Sequence, residues 1–312
     1  MSVELNLSEI TRNDNTIITV GSFDGVHVGH VKILSTLVNN AKAKNCRSIV
    51  LTFEPHPRKV ISQNYSLKLL TSLEEKKELI YKHGVDEILI LPFTHEFSQM
   101  SSDDFFKNII IDKIGIKEII LGYDHHFGKG RDGDESKVRQ LGSLYNFEVT
   151  LVPEVKYDDL TVSSSVIRRE LQHGKIKSAA CYLNRFYSIT GRVIEGDKRG
   201  RLLGFPTANI QISDDDKMVP ANGVYAVKVF TGNEEYSGVM NIGNRPTFQD
   251  SESIIFEVHI FDFSENIYDK EIKVEFVDRI RDEQKFNSKE ELIEQINRDK
   301  AVALQILKQI NN

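Results

Sequence analysis

The chain has 312 residues, a length that fits two domains, and its 40 % hydrophobic and 28 % charged residues match a soluble globular protein. A net charge of −6 argues against duplex nucleic acid as the main partner, because phosphate neutralisation calls for a basic surface. Cys46 and Cys181 form no CxxC pattern, MSVELNLSEI lacks the basic-then-apolar profile of a signal peptide, and runs such as SIVLTF and EILILPF are too short to span a bilayer, so a cytoplasmic protein without a disulfide framework or structural zinc is expected.

In chain order, TIITV (16–20) reads as a buried strand and VKILSTLVNNAKAK (31–44) as a helix. RSIVLTF (47–53) is a strand, and SLEEKKELIYKH (72–83) a helix with Ser72 and Glu75 spaced as a capping box. EILILPF (87–93) is a strand, SDDFFKNIIIDKI (102–114) a helix, KEIILGY (117–123) a strand, SKVRQLGSLYN (136–146) a helix and FEVTLVP (147–153) a strand. Alternating strands and helices predict an α/β, Rossmann-like domain with a parallel sheet covered on both faces, whose ligands bind beyond the carboxyl ends of the strands.

After a helical bridge (163–184) the rhythm changes. SITGRVIEG, NGVYAVKVF, YSGVMNIG, SIIFEVHIF and KEIKVEFVDRI are strand-like and separated by glycine-bearing turns. They predict an antiparallel barrel or sandwich of about six strands, closed by a terminal helix over 288–310. The domains are placed at 1–184 and 185–312. There is no solenoid repeat and no low-complexity segment.

GSFDGVHVGH (21–30) follows the first strand of the alternating series and opens the next helix. Gly21, Gly25 and Gly29 allow backbone amides to approach an anion, and a helix start favours negative charge. His27 and His30, three apart, face one side of the first turn. Two imidazole donors on one phosphate would stabilise charge building on phosphorus. The stretch is neither a P-loop nor a GxGxxG turn. On spacing alone, a tight turn with two structural histidines fits equally well.

Three further stretches read the same way. In TFEPHPRKV, Pro55 and Pro57 stiffen the turn after a strand, and Arg58 or Lys59 would meet a phosphate or simply be solvated. In GYDHHFGKGRDGD, Phe127 offers a ring to stack on, while His125 and His126 have no third ligand at metal spacing. In SSSVIRREL, Ser163, Ser164 and Ser165 and then Arg168 suit a leaving pyrophosphate, or the serines are caps only. Phe23, Asp24 and Arg245 are candidates for ligand pockets or for turn stabilisers.

In the second half, GDKRGRLLGFPTANI (196–210) holds Gly196, Gly200 and Gly204, the cations Lys198, Arg199 and Arg201, and the run Pro206-Thr207-Ala208-Asn209. Glycines let the chain pass close to phosphates, and the Thr207 hydroxyl and Asn209 carbonyl are hard ligands of the kind magnesium takes beside ATP oxygens. From composition alone a basic β-turn is the plainer reading. FEVHIFDF alternates, so Glu257 and His259 share a face.

GSFDGVHVGH resembles the HxGH signature of nucleotidyltransferases, and more specifically the adenylyltransferase domain of bacterial bifunctional riboflavin kinase/FAD synthetases. LTFEPHPRKV, LTSLEEKKELI, GYDHHFGKGRDGD and VSSSVIRRELQHG are similar to that family's blocks in the same order. GDKRGRLLGFPTANI, NGVYAV, GVMNIGNRPTF and FEVHIFDF resemble its riboflavin kinase domain.

The resemblance implies a nucleotidyltransferase domain followed by a six-stranded Greek-key barrel of the riboflavin kinase type. The implied activities are phosphorylation of riboflavin to FMN and adenylylation of FMN to FAD, with ATP and magnesium. It implies that His27 and His30 clamp the α-phosphate and that Gly21, Phe23, Gly29, the serines and Arg168 line the ATP site. Asp124, Phe127, Pro55 and Arg58 are implied at the FMN/ATP site. Gly196, Lys198, Gly200, Arg201, Gly204, Pro206, Thr207 and Asn209 are implied at the kinase ATP/flavin site, with Thr207 and Asn209 on magnesium and Glu257 as base. Ser165 departs from the more usual threonine but keeps a hydroxyl. The implied partners are small molecules, with neither nucleic acid nor membrane; the motifs leave room for a weak homo-oligomer.

Overall fold

A computed structural model divides the chain into two units, Met1–Ser164 and Ser165–Asn312. It describes residues 3–62, 67–123, 128, 133–196, 204–245 and 253–310.

The first unit is built on six parallel strands: β1 (Val3–Leu5), β2 (Thr16–Val20), β3 (Arg47–Glu54), β4 (Glu87–Pro92), β5 (Glu118–Gly122) and β6 (Glu148–Val152). Their spatial order is β1-β4-β3-β2-β5-β6. Five of them are the expected strands. β1 is an addition, three residues long and held by pairing with β4 from Val3↔Glu87 to Leu5↔Leu89. A run that short carries no periodicity to read.

The helical elements of this unit are α1 (Val28–Lys44), α2 (Pro57–Ile61), α3 (Leu73–Lys82), α4 (His95–Ser98), α5 (Ser102–Asp104), a π-helix (Phe105–Ile114) and α6 (Glu135–Tyr145). Successive strand residues point to opposite faces, and each face has its own core. Ile17, Val50, Ile88 and Ile120 pack with Leu34 and Leu37 of α1 and Ile80 of α3. Ile18, Ile49, Leu89 and Ile119 pack with Phe106, Ile109 and Ile110 of the π-helix. Each such fully buried side chain contributes about 1.5–3 kcal/mol. The Ser72–Glu75 capping box forms at the start of α3.

The single helix expected over 102–114 is instead one α turn followed by the π-helix. Its buried residues 105, 106, 109, 110 and 114 suit the wider turn as well as the α turn, so periodicity could not separate the two. The helix closes with Gly115 N donating to Ile110 O, at the positive φ of 69° that glycine accepts.

From β2 the chain moves to β3 and β4 on one side, and β5 and β6 lie on the other. The carboxyl ends of β2 and β5 therefore form the switch point where such sheets bind ligands. A short hairpin, β7 (Lys156–Tyr157) with β8 (Leu160–Thr161), precedes α7 (Ser164–Gln172).

The second unit carries α8 (Ile176–Leu183) and then a closed barrel. Its strands are β9 (Tyr187–Ile194), β10 (Ala208–Ile212), β11 (Gly223–Thr231), β12 (Glu234–Arg245), β13 (Ser253–Ile260) and β14 (Glu271–Arg281), in the order β10-β13-β12-β11-β14-β9. The strand not named from sequence is β10, which begins within the PTANI run and continues to Ile212. Tyr225, Met240, Val258 and Phe276 are wholly buried in the unit. The terminal helix α9 (Lys289–Ile310) lays Ala303 and Leu307 on Ala226, Phe261 and Val277. Arg281 braces it, with Nε 3.0 Å and Nη2 2.8 Å from the Asp299 carboxylate.

Candidate active sites

The loop after β2 is pinned from several directions. Gly21 N donates to Leu51 O at 3.0 Å. Phe23 and Val26 turn inward, 2 % and 1 % exposed, although their φ angles are +49° and +37°. Positive φ is unfavourable for any side chain and worst for a β-branched one, so burial of these two residues holds the loop in a conformation it would not otherwise adopt. The Asp24 carboxylate accepts from Leu70 N at 2.9 Å, Thr71 N at 3.2 Å and Thr71 Oγ1 at 3.4 Å. Gly25 N donates to Thr71 Oγ1 at 3.1 Å. Asp24 thus stabilises this turn.

This frame presents the two histidines. His27 caps α1: its Nδ1 accepts from His30 N at 3.4 Å. In the neutral ring the proton then sits on Nε2, which makes that nitrogen the donor of the ring. The His27 and His30 rings stack, and the Phe23 ring lies 5.1 Å from that of His30. Gly29 makes room for this arrangement, since a Cβ there would stand 3.1 Å from His27 Cε1. No acidic residue occupies the first turn of α1, so nothing on the helix offsets its positive N-terminal field.

Ser164 Oγ donates to the Asp24 carbonyl at 2.9 Å, which brings it to the same loop. Ser163 precedes it in the first unit; Ser165 and the buried Arg168 are counted with the second. Pro55 and Arg58 follow β3 and are exposed. His56 caps α2, its Nδ1 accepting from Arg58 N at 3.2 Å. Asp124, Phe127, Lys198, Gly200 and Arg201 lie outside the described residues.

Sequence reasoning passed over Lys76 and Thr52. Lys76 Nζ donates to Thr52 Oγ1 at 3.4 Å, and Thr52 Oγ1 donates to Ser22 O at 3.4 Å. Burial holds the Lys76 ammonium below the ordinary lysine range, against the pull of the Glu54 and Asp24 carboxylates.

In the barrel, Glu257 on β13 lies directly across from Asn209 on β10 and from Asn241 on β12. Directly opposed residues share a face. Met240, Ile242 and Val258 are wholly buried, so their neighbours 241 and 257 turn outward, and Asn209 with them. A carboxylate thus stands between two amides on the outer face of the barrel. Asn241 is a residue the sequence reading did not single out; only strand register reveals it.

Thr207 is two residues before Asn209, at the opening of β10. A Cβ on Gly196 would strike the Asn209 side chain, so this glycine is fixed by close approach. Gly204 has φ +85°, a turn conformation that suits glycine. His259 Nδ1 donates to Pro206 O at 2.8 Å and its ring meets Phe205 edge-on, tying the Phe205–Thr207 run to β13. Thr207 and Asn209 offer neutral hard oxygens beside a carboxylate, a donor set that fits magnesium when phosphate oxygens complete the shell. Among the described residues no three His, Cys, Asp or Glu side chains gather as a self-contained metal site.

Residues 9–166 match the FAD synthetase family and residues 183–307 the riboflavin kinase family. A bifunctional riboflavin kinase/FMN adenylyltransferase from Buchnera aphidicola subsp. Schizaphis graminum is 41 % identical over 298 residues, covering 94 % of each chain. One from Bacillus subtilis is 38 % identical, covering 93 % of this chain and 92 % of its own. A solved structure described as a macrolide-efflux protein from Streptococcus pneumoniae superposes with a TM-score of 0.88 at 30 % identity, over 97 % of this chain and 98 % of that one. Among the described residues of the present chain, no helix is long and apolar enough to cross a membrane.

Proposed function

The chain belongs to the bifunctional riboflavin kinase/FMN adenylyltransferase family, and from that premise we propose how its residues divide the two reactions. The protein phosphorylates riboflavin with ATP to FMN, then adenylylates FMN with ATP to FAD and pyrophosphate. The two steps need different side chains because their nucleophiles differ.

In the kinase step the nucleophile is the terminal ribityl hydroxyl, which is neutral and weak. Glu257 accepts its proton as the oxygen attacks the γ-phosphorus of ATP and the bond to the β-phosphate oxygen breaks. Asn209 and Asn241 flank the carboxylate and orient it and the substrate oxygen. Gly196, Lys198, Gly200, Arg201, Gly204 and Pro206 form the approach for ATP and flavin. Thr207 and Asn209 would hold magnesium together with the nucleotide, and the ion would supply charge neutralisation on the phosphates.

In the adenylyl step the nucleophile is the FMN phosphate, already an anion, so no base is required. Its oxygen bonds to the α-phosphorus, and the bond to pyrophosphate breaks. His27 and His30 donate to the α-phosphate, assisted by the α1 amides. Ser163, Ser164, Ser165 and Arg168 serve the departing pyrophosphate. Gly21 and Phe23 carry the turn, and Pro55, Arg58, Asp124 and Phe127 form the remaining FMN/ATP contacts. The domain boundary is proposed at 184/185.

The observation that carries this division is the pair of differently equipped sites: stacked imidazoles at the start of a helix in one unit, a carboxylate set between amides in the other. The test is to incubate the protein with riboflavin, ATP and magnesium and to resolve flavins by chromatography over time. FMN is expected first and FAD later. FMN without FAD, or no conversion of bound flavin, would defeat the reading.

A further inference from the structure

α3 carries two adjacent lysines in different surroundings. Lys77 is partly buried but paired with two carboxylates, 2.8 Å from Glu4 and 2.7 Å from Glu74. Lys76 lies on the inward stripe with Ile80 and is 6 % exposed. It forms no ion pair among the described residues; its Nζ donates to Thr52 Oγ1, which bonds onward to the carbonyl of Ser22. The carboxylates of Glu54 and Asp24 pull on its charge without an ion pair, and Asp24 is already engaged by Leu70 and Thr71.

A buried ammonium that forms no ion pair destabilises a fold, and an apolar residue of the same volume would serve packing better. The charge makes sense where an anion completes the arrangement in use. Lys76 reaches the carboxyl end of β3 and is two hydrogen bonds from the loop that presents His27 and His30.

We propose that Lys76 is a positioning residue for adenylyl transfer: it holds the Ser22 end of the loop through Thr52 and supplies a fixed positive charge for a substrate phosphate gathered at the switch point. It does not touch the reacting atoms. The phosphate belongs either to ATP or to FMN. The proposal rests on the adenylyltransferase reading of the first unit.

The test uses the full-length chain and its Lys76→Met and Lys76→Arg variants. Thermal unfolding, the rate of FMN formation from riboflavin, and KM and kcat for FAD formation are measured, with ATP and FMN varied separately. Lys76→Met is expected to unfold no earlier than wild type and to form FMN at the wild-type rate. It is also expected to raise the KM for ATP or for FMN at least fivefold, beyond any fall in kcat. The KM that rises identifies the phosphate served. Lys76→Arg keeps the charge and is expected to return that KM toward the wild-type value. A smaller KM change in Lys76→Met, a loss of activity in step with earlier unfolding, or a folded Lys76→Arg as impaired as Lys76→Met would overturn the proposal. A wild-type chain that forms no FAD would defeat the underlying reading instead.

Discussion

The imidazoles of His27 and His30 stack with centroids 3.7 Å apart and planes 19° from parallel. One ring nitrogen of His27 is spent on the helix cap, so the pair works as a braced unit rather than as two independent side chains. Removing His30 is expected to slow FAD formation by roughly 10²–10³-fold, as for loss of one donor to a developing oxyanion. FMN formation should continue. Single-turnover assays on supplied FMN check this. His27→Asn keeps a capping oxygen and is expected to fold normally yet lose the same step.

Glu257→Gln removes the proton acceptor but keeps the shape. FMN formation is expected to fall by roughly 10²–10⁴-fold while FAD formation from supplied FMN persists. Asn241→Ala is expected to act in the same direction, more weakly and on kcat rather than on thermal stability, because residue 241 faces outward from the barrel core. Loss of both activities in folded Glu257→Gln would mean that the sites are not independent.

Gly25 stands at φ +83°, and a Cβ there would meet Leu70 Cδ1 at 2.7 Å. Gly25→Ala is expected to destabilise the first unit by about 1–3 kcal/mol, the range for forcing a side chain into a left-handed conformation. Urea unfolding gives the number.

Lys76 also predicts a pH dependence of stability. Burial depresses its folded-state pKa below the ordinary 10.5. Between the depressed value and 10.5 the unfolded chain binds more protons than the folded one, so stability rises with pH in that window. Wild type is therefore expected to gain stability relative to Lys76→Met as pH climbs through that window toward 10.5. Urea midpoints measured in parallel test the sign.

Asp299 is 4 % exposed and holds Arg281 from α9. Asp299→Ala leaves the guanidinium without its carboxylate, and a loss of about 3 kcal/mol is expected. Calorimetry checks this, because the FMN-forming site lies on other strands.

Most of the fold was legible because the two units repeat different periods, alternating βα in one and short strands with glycine turns in the other. What escaped was short, or ambiguous in period. β1 has three residues, and β10 was hidden in a run rich in glycine and cations that reads as a loop. The π-helix shares its apolar spacing with an α-helix. The histidine pair was visible as a string, but not the reason it holds: the inward Phe23 and Val26, and the Asp24 clamp onto Leu70 and Thr71, join segments 46 and 47 residues apart. Lys76 was unreadable for a different reason. In EEKKE both lysines look solvated, and only packing decides which one turns inward. Asn241 needed the strand register, which one sequence does not give.

The barrel closes on itself, while the parallel sheet ends in β1 and β6. Open strand edges are templates for unwanted pairing between chains, and a closed barrel has none. The liability for association on heating therefore falls on the first unit. Its edges are blunted by brevity at β1 and by a charge at β6, where Glu148 is paired to Lys44 at 2.7 Å. That carboxylate is not among the residues assigned to either reaction, and its charge at the sheet edge discourages pairing between chains.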